Sequence, residues 1–452
     1  MPTKMPQQIR FGQILAFFTP LGFSASLVTI SHVIINSTLA RSPHPEMLIA
    51  SYALPMSLMS ITERPALLLR QSCSVLVRDH RSFRAMSLLT LYVLGSIFLM
   101  DSFIAYTPLG KFVFAHLFGT SAGMLTPMLQ VYRILMFVTI FSGIRCLFHG
   151  IIISNMRTKW LTVGMLIRLA GMYGLSLFFI QTDRVTSGSV GALIFLTGMI
   201  IEAIISFWEG RNLLKKVIPD QLPDHPIQRP GHIFKFYKPL LFSSFLAVII
   251  APSINTAMGK TSGVQLSVSS FAIASSLLEL VLSFFSYIHQ IVLNYNQKDA
   301  SAVKRFILAL SFIPSLLIAI LAYTSVGPFF MKHVMGLNER LMLESLSVLR
   351  VFMVLTLIFP WLDYFNGILM LRNQTKVFLW SQATNVSIVL LTLALSLSFF
   401  PGWNGKIGAL AQSLGIVAES SVVLFVLRKL SAEEENLMRL TQAQHKRSGV
   451  RL

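Results

Sequence analysis

The sequence predicts an all-α polytopic membrane protein of twelve transmembrane helices, built as two pseudo-symmetric six-helix bundles, and three observations predict it. Of the 452 residues 54% are hydrophobic and 12% charged, too little polar side chain to cover a water-soluble globule of this size. Stretches of about 20 mostly apolar residues, the length that crosses a bilayer, recur along the chain with short breaks. The second half also repeats the first, at offsets of 219 and then 217 residues.

The first six apolar segments lie at 11–40, 46–70, 85–107, 127–153, 159–181 and 188–209. The second six lie at 236–259, 264–294, 304–327, 341–370, 376–400 and 406–428. The first is too long for a signal peptide, and its counterpart begins in mid-chain, so it belongs to the fold. The breaks alternate in charge. Segments 1–10, 70–84, 157–159, 211–238, 298–305, 372–376 and the tail from 428 hold 25 of the 37 Lys and Arg. The intervening loops hold only Arg41, Lys111, Arg184, Lys260, Lys332, Arg340 and Lys406. Basic loops stay cytoplasmic, so one orientation satisfies every break: a multi-pass plasma-membrane protein with both termini inside. The net charge of +19 is therefore a topology signal, and nucleic acid is not an expected partner.

The repeat is read directly. FTPLGFSASL (18–27) lies over YKPLLFSSFL (237–246), INSTLAR (35–41) over INTAMGK (254–260), and SYALPMSL (51–58) over SFAIASSL (270–277). At the second offset LQVYRILMF (129–137) meets LSVLRVFMV (346–354), and FHGIIISNMRTK (148–159) meets FNGILMLRNQTK (365–376). Residues 1–210 form the N-terminal bundle, 211–235 a Pro- and charge-rich linker, 236–428 the C-terminal bundle and 429–452 a tail. With an even number of helices in each half, the halves are expected to be related by an axis along the membrane normal, with a cavity between them. Pro20 and Pro239, matched across the repeat, are expected to bend their helices; Gly150 and Gly367 allow close helix approach.

Charges inside spans carry the functional expectation, because each costs about 2.5–3.5 kcal/mol near the bilayer centre unless it meets water, a partner or an interface. Arg133, Arg145, Arg168 and Arg350 are candidate substrate-binding groups, with Arg133 and Arg350 repeat-related and near enough to the outer surface to snorkel. Arg64 is a fifth span arginine. Glu202 and Glu419, again a matched pair, join Glu63, Glu279 and Asp363 as candidates to carry a coupling proton or sodium ion, or to pair with the arginines. Asn36 and Asn255 are matched candidates for the cavity wall or for interhelical hydrogen bonds. His32 and His149 lie in spans without matching histidines. No other cofactor is expected, and Cys73 and Cys146 suggest neither a disulfide framework nor a metal site.

Two enzyme-like motifs are set aside. GTSAG (119–123) has the spacing of a nucleophile elbow around Ser121 but lies in a loop between spans, without the strand and helix that such a site needs. GKTS (259–262) has Ile254 where a phosphate loop needs its leading glycine. The chain is not expected to be an enzyme.

The segments IRFGQILAFFTPLG (9–22), EMLIASYALPMSLM (46–59), VLRVF (348–352) and GALAQSLGIVAESSVV (408–423) resemble the progressive ankylosis protein family. That family shares a superfamily with multidrug and toxic compound extrusion transporters, polysaccharide exporters and lipid II flippases. The sequence departs from it by one extra residue in the EMLIASY block and by lacking a long acidic tail. The resemblance implies the extrusion-transporter (MATE-like) fold and export of a small anion such as pyrophosphate, a nucleotide or citrate; Glu419 matches the family's acidic position in the last helix. The expected function is thus a secondary transporter, acting as a monomer by alternating access on a small anionic or amphipathic substrate. A cation-coupled multidrug exporter, a flippase for lipid-linked sugars and a membrane scaffold are the rivals.

Overall fold

The computed structural model describes residues 9–447 apart from 40, 43–44, 118–121, 224 and 336; Ser121 therefore lies outside the described residues. The first half runs as α1 (Phe11–Leu39), α2 (Pro45–Thr62), α3 (Arg64–Leu76), α4 (His80–Tyr106), α5 (Ala122–Ser154), α6 (Lys159–Gln181) and α7 (Ser189–Lys216). The second runs as α8 (Pro230–Val248), α9 (Ile250–Met258), α10 (Val264–Phe285), α11 (Ile288–Tyr295), α12 (Ala300–Ser311), α13 (Ile313–Tyr323), α14 (Glu339–Leu371), α15 (Lys376–Phe399) and α16 (Lys406–Arg447). Among the described residues there is no strand.

Among the described residues, eleven of the expected twelve spans are helical stretches long and apolar enough to cross a membrane, three of them made of two successive helices, α8–α9, α10–α11 and α12–α13. The remaining one, 46–70, is divided between α2 and α3 at Glu63. Pro65 causes this: it has no N–H for the carbonyl of Ile61, and its ring disfavours helical backbone in the residue before it. Further interruptions fall at Ile249, at Phe312, and at Ser286 and Tyr287 between α10 and α11, where Tyr287 leaves helical geometry at φ −118°, ψ 19°. Pro20, by contrast, leaves α1 continuous. The carbonyls of Phe17 and Pro20, in the turn the ring disturbs, accept hydrogen bonds from Thr158 (2.8 Å) and Thr162 (2.7 Å).

The outward faces are apolar. Leu99, Trp380, Phe399 and Phe425 are each at least 70% exposed, the expected surface where lipid is the solvent. By mutual contact the chain forms two compact units, one of Met1–Phe245 with Leu280–Phe306, the other of Leu246–Glu279 with Ile307–Leu452. In the first, α5 is the central helix, packed by α2, α3, α4 and α7, and 78% of its apolar window is buried. In the second, α14, α15 and α16 pack together.

The duplication is visible in detail at the ends of α5 and α14. Met156 and Asn373, 217 residues apart, both take positive φ (63° and 55°). Around them Arg157 N donates to Ile152 O and Gln374 N to Leu369 O, with Met156 to Ile153 and Asn373 to Met370 beside them. These are two copies of one helix-ending motif. The repeat also runs through TPLGKFVFAH (107–116) and TSVGPFFMKH (324–333): Thr107 and Thr324 donate to Phe103 O and Ile320 O at 2.6 Å, and each segment ends in a one-turn π-helix.

Candidate functional site

Helical spacing brings the ionisable groups of the first unit together. Ser142, Arg145 and His149 are three and four residues apart, and so share one face of α5. On α7, Glu202 is 1% exposed and accepts from Arg145 Nη1 at 3.1 Å and from Arg168 Nη1, on α6, at 2.7 Å. His149 Nε2 stands 3.8 Å from the other Glu202 oxygen. Glu63, at the break between α2 and α3, accepts from the Ser142 hydroxyl, which also receives Arg145 Nη2 at 3.3 Å. Arg70 on α3 donates to the Tyr287 hydroxyl, and its guanidinium lies 4.7 Å from that ring's centroid. The Arg168 guanidinium lies 5.2 Å from the Phe195 ring, against which His32 stacks.

These groups surround a cavity of about 240 Å³, floored by apolar side chains of α1, α2, α6 and α7, including Val28, Met56, Met165 and Met199. All of its lining residues belong to the first unit. Both helix interruptions of this unit reach it, one through Glu63 and the other through Tyr287. Arg70, Arg145 and Arg168 face it against Glu63 and Glu202, so guanidinium groups outnumber carboxylates. The cluster is also under-used. Arg145 Nε, Arg168 Nε and Nη2, Arg70 Nε and His149 Nδ1 are buried without a hydrogen-bond partner, a costly condition for donors in a dry interior.

In the second unit the matched carboxylate has different company. Glu419, on α16 and 8% exposed, accepts from Asn385 Nδ2 at 2.6 Å. Counting 217 residues back, Asn385 stands where Arg168 does, while Leu362 and Asn366 stand where Arg145 and His149 do. The contact between the two helices is kept and the cations are not.

Arg145, Arg168, Glu63 and Glu202 are thus gathered as one cluster. Arg133 and Arg350 are not cavity groups of this kind. Each is exposed and closes a neighbouring helix end, Arg133 Nε donating to Ala105 O at 3.2 Å beside the Tyr106 ring, Arg350 Nε to Ala322 O at 3.3 Å beside Tyr323. Asn36 is exposed on α1, Asn255 on α9 and Glu279 on α10, and Asp363 is half-buried on α14. Sequence reasoning missed Arg70, which ends its predicted span and so reads as a loop charge, and Tyr287, an aromatic in an apolar run. It also missed Asp101, fully buried on α4 away from the cavity, which accepts from the Tyr132 hydroxyl at 2.7 Å.

The architecture matches solved transporters. A MOP superfamily transporter from Pyrococcus furiosus, with a binding pocket of reverse polarity that suggests a different function, superposes with a TM-score of 0.72 at 15% identity over 93% of this chain and 96% of that one. A multidrug resistance MATE family transporter of the MOP superfamily, in an outward-facing conformation, gives the same figures. MATE in complex with MaL6 matches at a TM-score of 0.69 and 15% identity, over 94% and 97% of the two chains. No family model and no curated protein matches the sequence. At this identity the likeness is one of fold: the chain is built as MATE and MOP superfamily transporters are.

Proposed function

We propose that this protein is a secondary membrane transporter that works by alternating access and exports a small anion of the pyrophosphate, nucleotide or citrate type. The observation that carries the reading is the cavity of the first unit, where Arg70, Arg145 and Arg168 outnumber Glu63 and Glu202 and retain unpartnered donors. Guanidinium groups take phosphate and carboxylate bidentately. A volume of about 240 Å³ suits a small polyoxyanion better than a drug-sized ligand, whose sites run to roughly 300–1,000 Å³. The fold of the matched transporters supports transport in general, and the segments resembling the progressive ankylosis family support the anion class.

Both termini are cytoplasmic in this reading, and a proton or sodium ion supplies the coupling. Glu202 is held by arginines, and we assign the ion to the second unit, where Glu419, Asp363 and Glu279 are the candidate carboxylates. A multidrug exporter uses the same fold, but acids and aromatics suffice to line its cavity; a flippase for lipid-linked sugars needs the basic cavity and also an opening to lipid.

Proteoliposomes test the reading. Under imposed proton and sodium gradients, pyrophosphate, nucleotide or citrate flux is expected, and Arg145→Ala is expected to lower it at least about tenfold, the effect of losing roughly 1.4 kcal/mol of substrate interaction. Flux of cationic dyes alone, from folded protein, overturns the anion assignment.

A further inference from the structure

We infer that Glu202 is an internal counter-ion, seated in a site built for an oxyanion and displaced when a phosphate or carboxylate group of the substrate enters. The inference rests on the transporter reading above and assigns a role within its cavity.

The geometry of the two arginines carries it. Arg145 meets Glu202 through Nη1 alone, and Arg168 also through Nη1 alone. Neither makes the two-nitrogen, side-on pair that a guanidinium and a carboxylate prefer. Arg168 keeps the edge a bidentate partner would take, Nε and Nη2, and Arg145, whose Nη2 is held by Ser142, keeps Nε; all three are buried and unpartnered beside the cavity. Arg168 is 1% exposed and Arg145 8%, so bulk water does not satisfy these donors. A buried ion pair kept only for packing is expected to have its donors satisfied, because the desolvation of both ions is otherwise poorly offset. Glu202 thus supplies negative charge without filling the donor set, as a stand-in for a ligand with more oxygens.

The second unit gives an internal control. Where Arg145, His149 and Arg168 are replaced by Leu362, Asn366 and Asn385, the matched Glu419 accepts an amide hydrogen bond from Asn385. The carboxylate position and its packing therefore persist without arginines.

The experiment is equilibrium binding of labelled inorganic pyrophosphate to the purified chain in lipid nanodiscs, with thermal unfolding as the check on folding. Glu202→Gln removes the competing charge and is expected to bind about tenfold more tightly than wild type, with Glu202→Gln/Arg168→Asn falling back toward or below wild type. If Glu202→Gln does not fold, Glu202→Asp, which keeps the charge but shortens its reach, is expected to show a smaller gain. A folded Glu202→Gln or Glu202→Asp that binds no more tightly than wild type overturns the inference. Wild type binding with no gain in the variant sinks this inference alone; absence of binding in wild type and variants alike sinks the anion reading with it. Competition by citrate identifies a free anion and competition by short-chain phosphatidic acid a lipid headgroup; both outcomes support displacement of Glu202 and differ only in the source of the oxyanion.

Discussion

Intramembrane charges divide by what they touch. Arg145, Arg168, Glu63 and Glu202 were legible because an ionisable side chain in hydrocarbon is costly and needs a partner or a cavity, and all four meet within one cluster. The same argument selected Arg133 and Arg350, whose polar ends close helix termini instead; depth along a span cannot distinguish a snorkelling arginine from one aimed inward. Arg133→Ala and Arg350→Ala are each expected to cost about 1 kcal/mol of stability, the ordinary worth of a hydrogen bond to a carbonyl with a ring contact, and to leave anion affinity unchanged. Thermal unfolding and pyrophosphate binding on the same preparations check this; a tenfold loss of binding in folded Arg133→Ala returns that residue to the site. Asp101 stayed hidden although one buried carboxylate is as improbable as another, because it has no counterpart in the second half, where Ile318 stands. The repeat drew the eye to matched positions, yet the cluster of arginines gathers where the halves differ.

At the scale of elements, the spans were legible from length and hydropathy, and their ends and interruptions were less so. Glu63–Pro65 marks the division of α2 from α3 in the sequence, but the interruption at Ser286 and Tyr287 has no proline or glycine to announce it. The close approach expected at Gly150 is observed: a Cβ there would lie 2.5 Å from Cys73 Cβ and 3.0 Å from Arg70 O, so the glycine lets α5 reach α3 and sets the depth of Arg70. The segment joining the halves is tied down rather than loose. Asp79, the N-cap of α4, accepts from Ser82 N at 2.8 Å and from Leu222 N at 2.9 Å, and His80 N donates to Pro219 O at 3.0 Å. Burial pushes the Asp79 carboxyl up, but the hydrogen bonds from Leu222 and Ser82 outweigh it and hold the group below the usual carboxylate range. A depressed folded value means that the stabilisation is present above the ordinary carboxylate range and is lost as pH falls through the folded value. Asp79→Ala is therefore expected to cost about 1–2 kcal/mol at neutral pH, a difference that shrinks as pH falls through and below the ordinary carboxylate range. Unfolding measured across that range checks the sign; a difference that grows with acid contradicts it.

For the whole molecule, hydropathy was enough to read an all-helical membrane protein, because backbone polar groups must be satisfied inside lipid, and self-comparison was enough to read the duplication. They did not reveal that the ionisable cluster would gather within the first compact unit, because which helices meet is set by packing, and the 217-residue offset is silent about it. The duplication supplied one scaffold twice, with matched caps at Met156 and Asn373 and matched carboxylates at Glu202 and Glu419. Among the described residues, only the first copy surrounds its carboxylate with arginine and histidine. The proposal that this cavity is an oxyanion site is tested by a structure determined with tungstate, a heavy oxyanion. Density is expected among Arg70, Arg145 and Arg168, within hydrogen-bond reach of the donors now unpartnered, and is expected to be lost in Arg168→Asn. Tungstate bound elsewhere in the chain, with that cavity unoccupied at concentrations that block pyrophosphate flux, would contradict it.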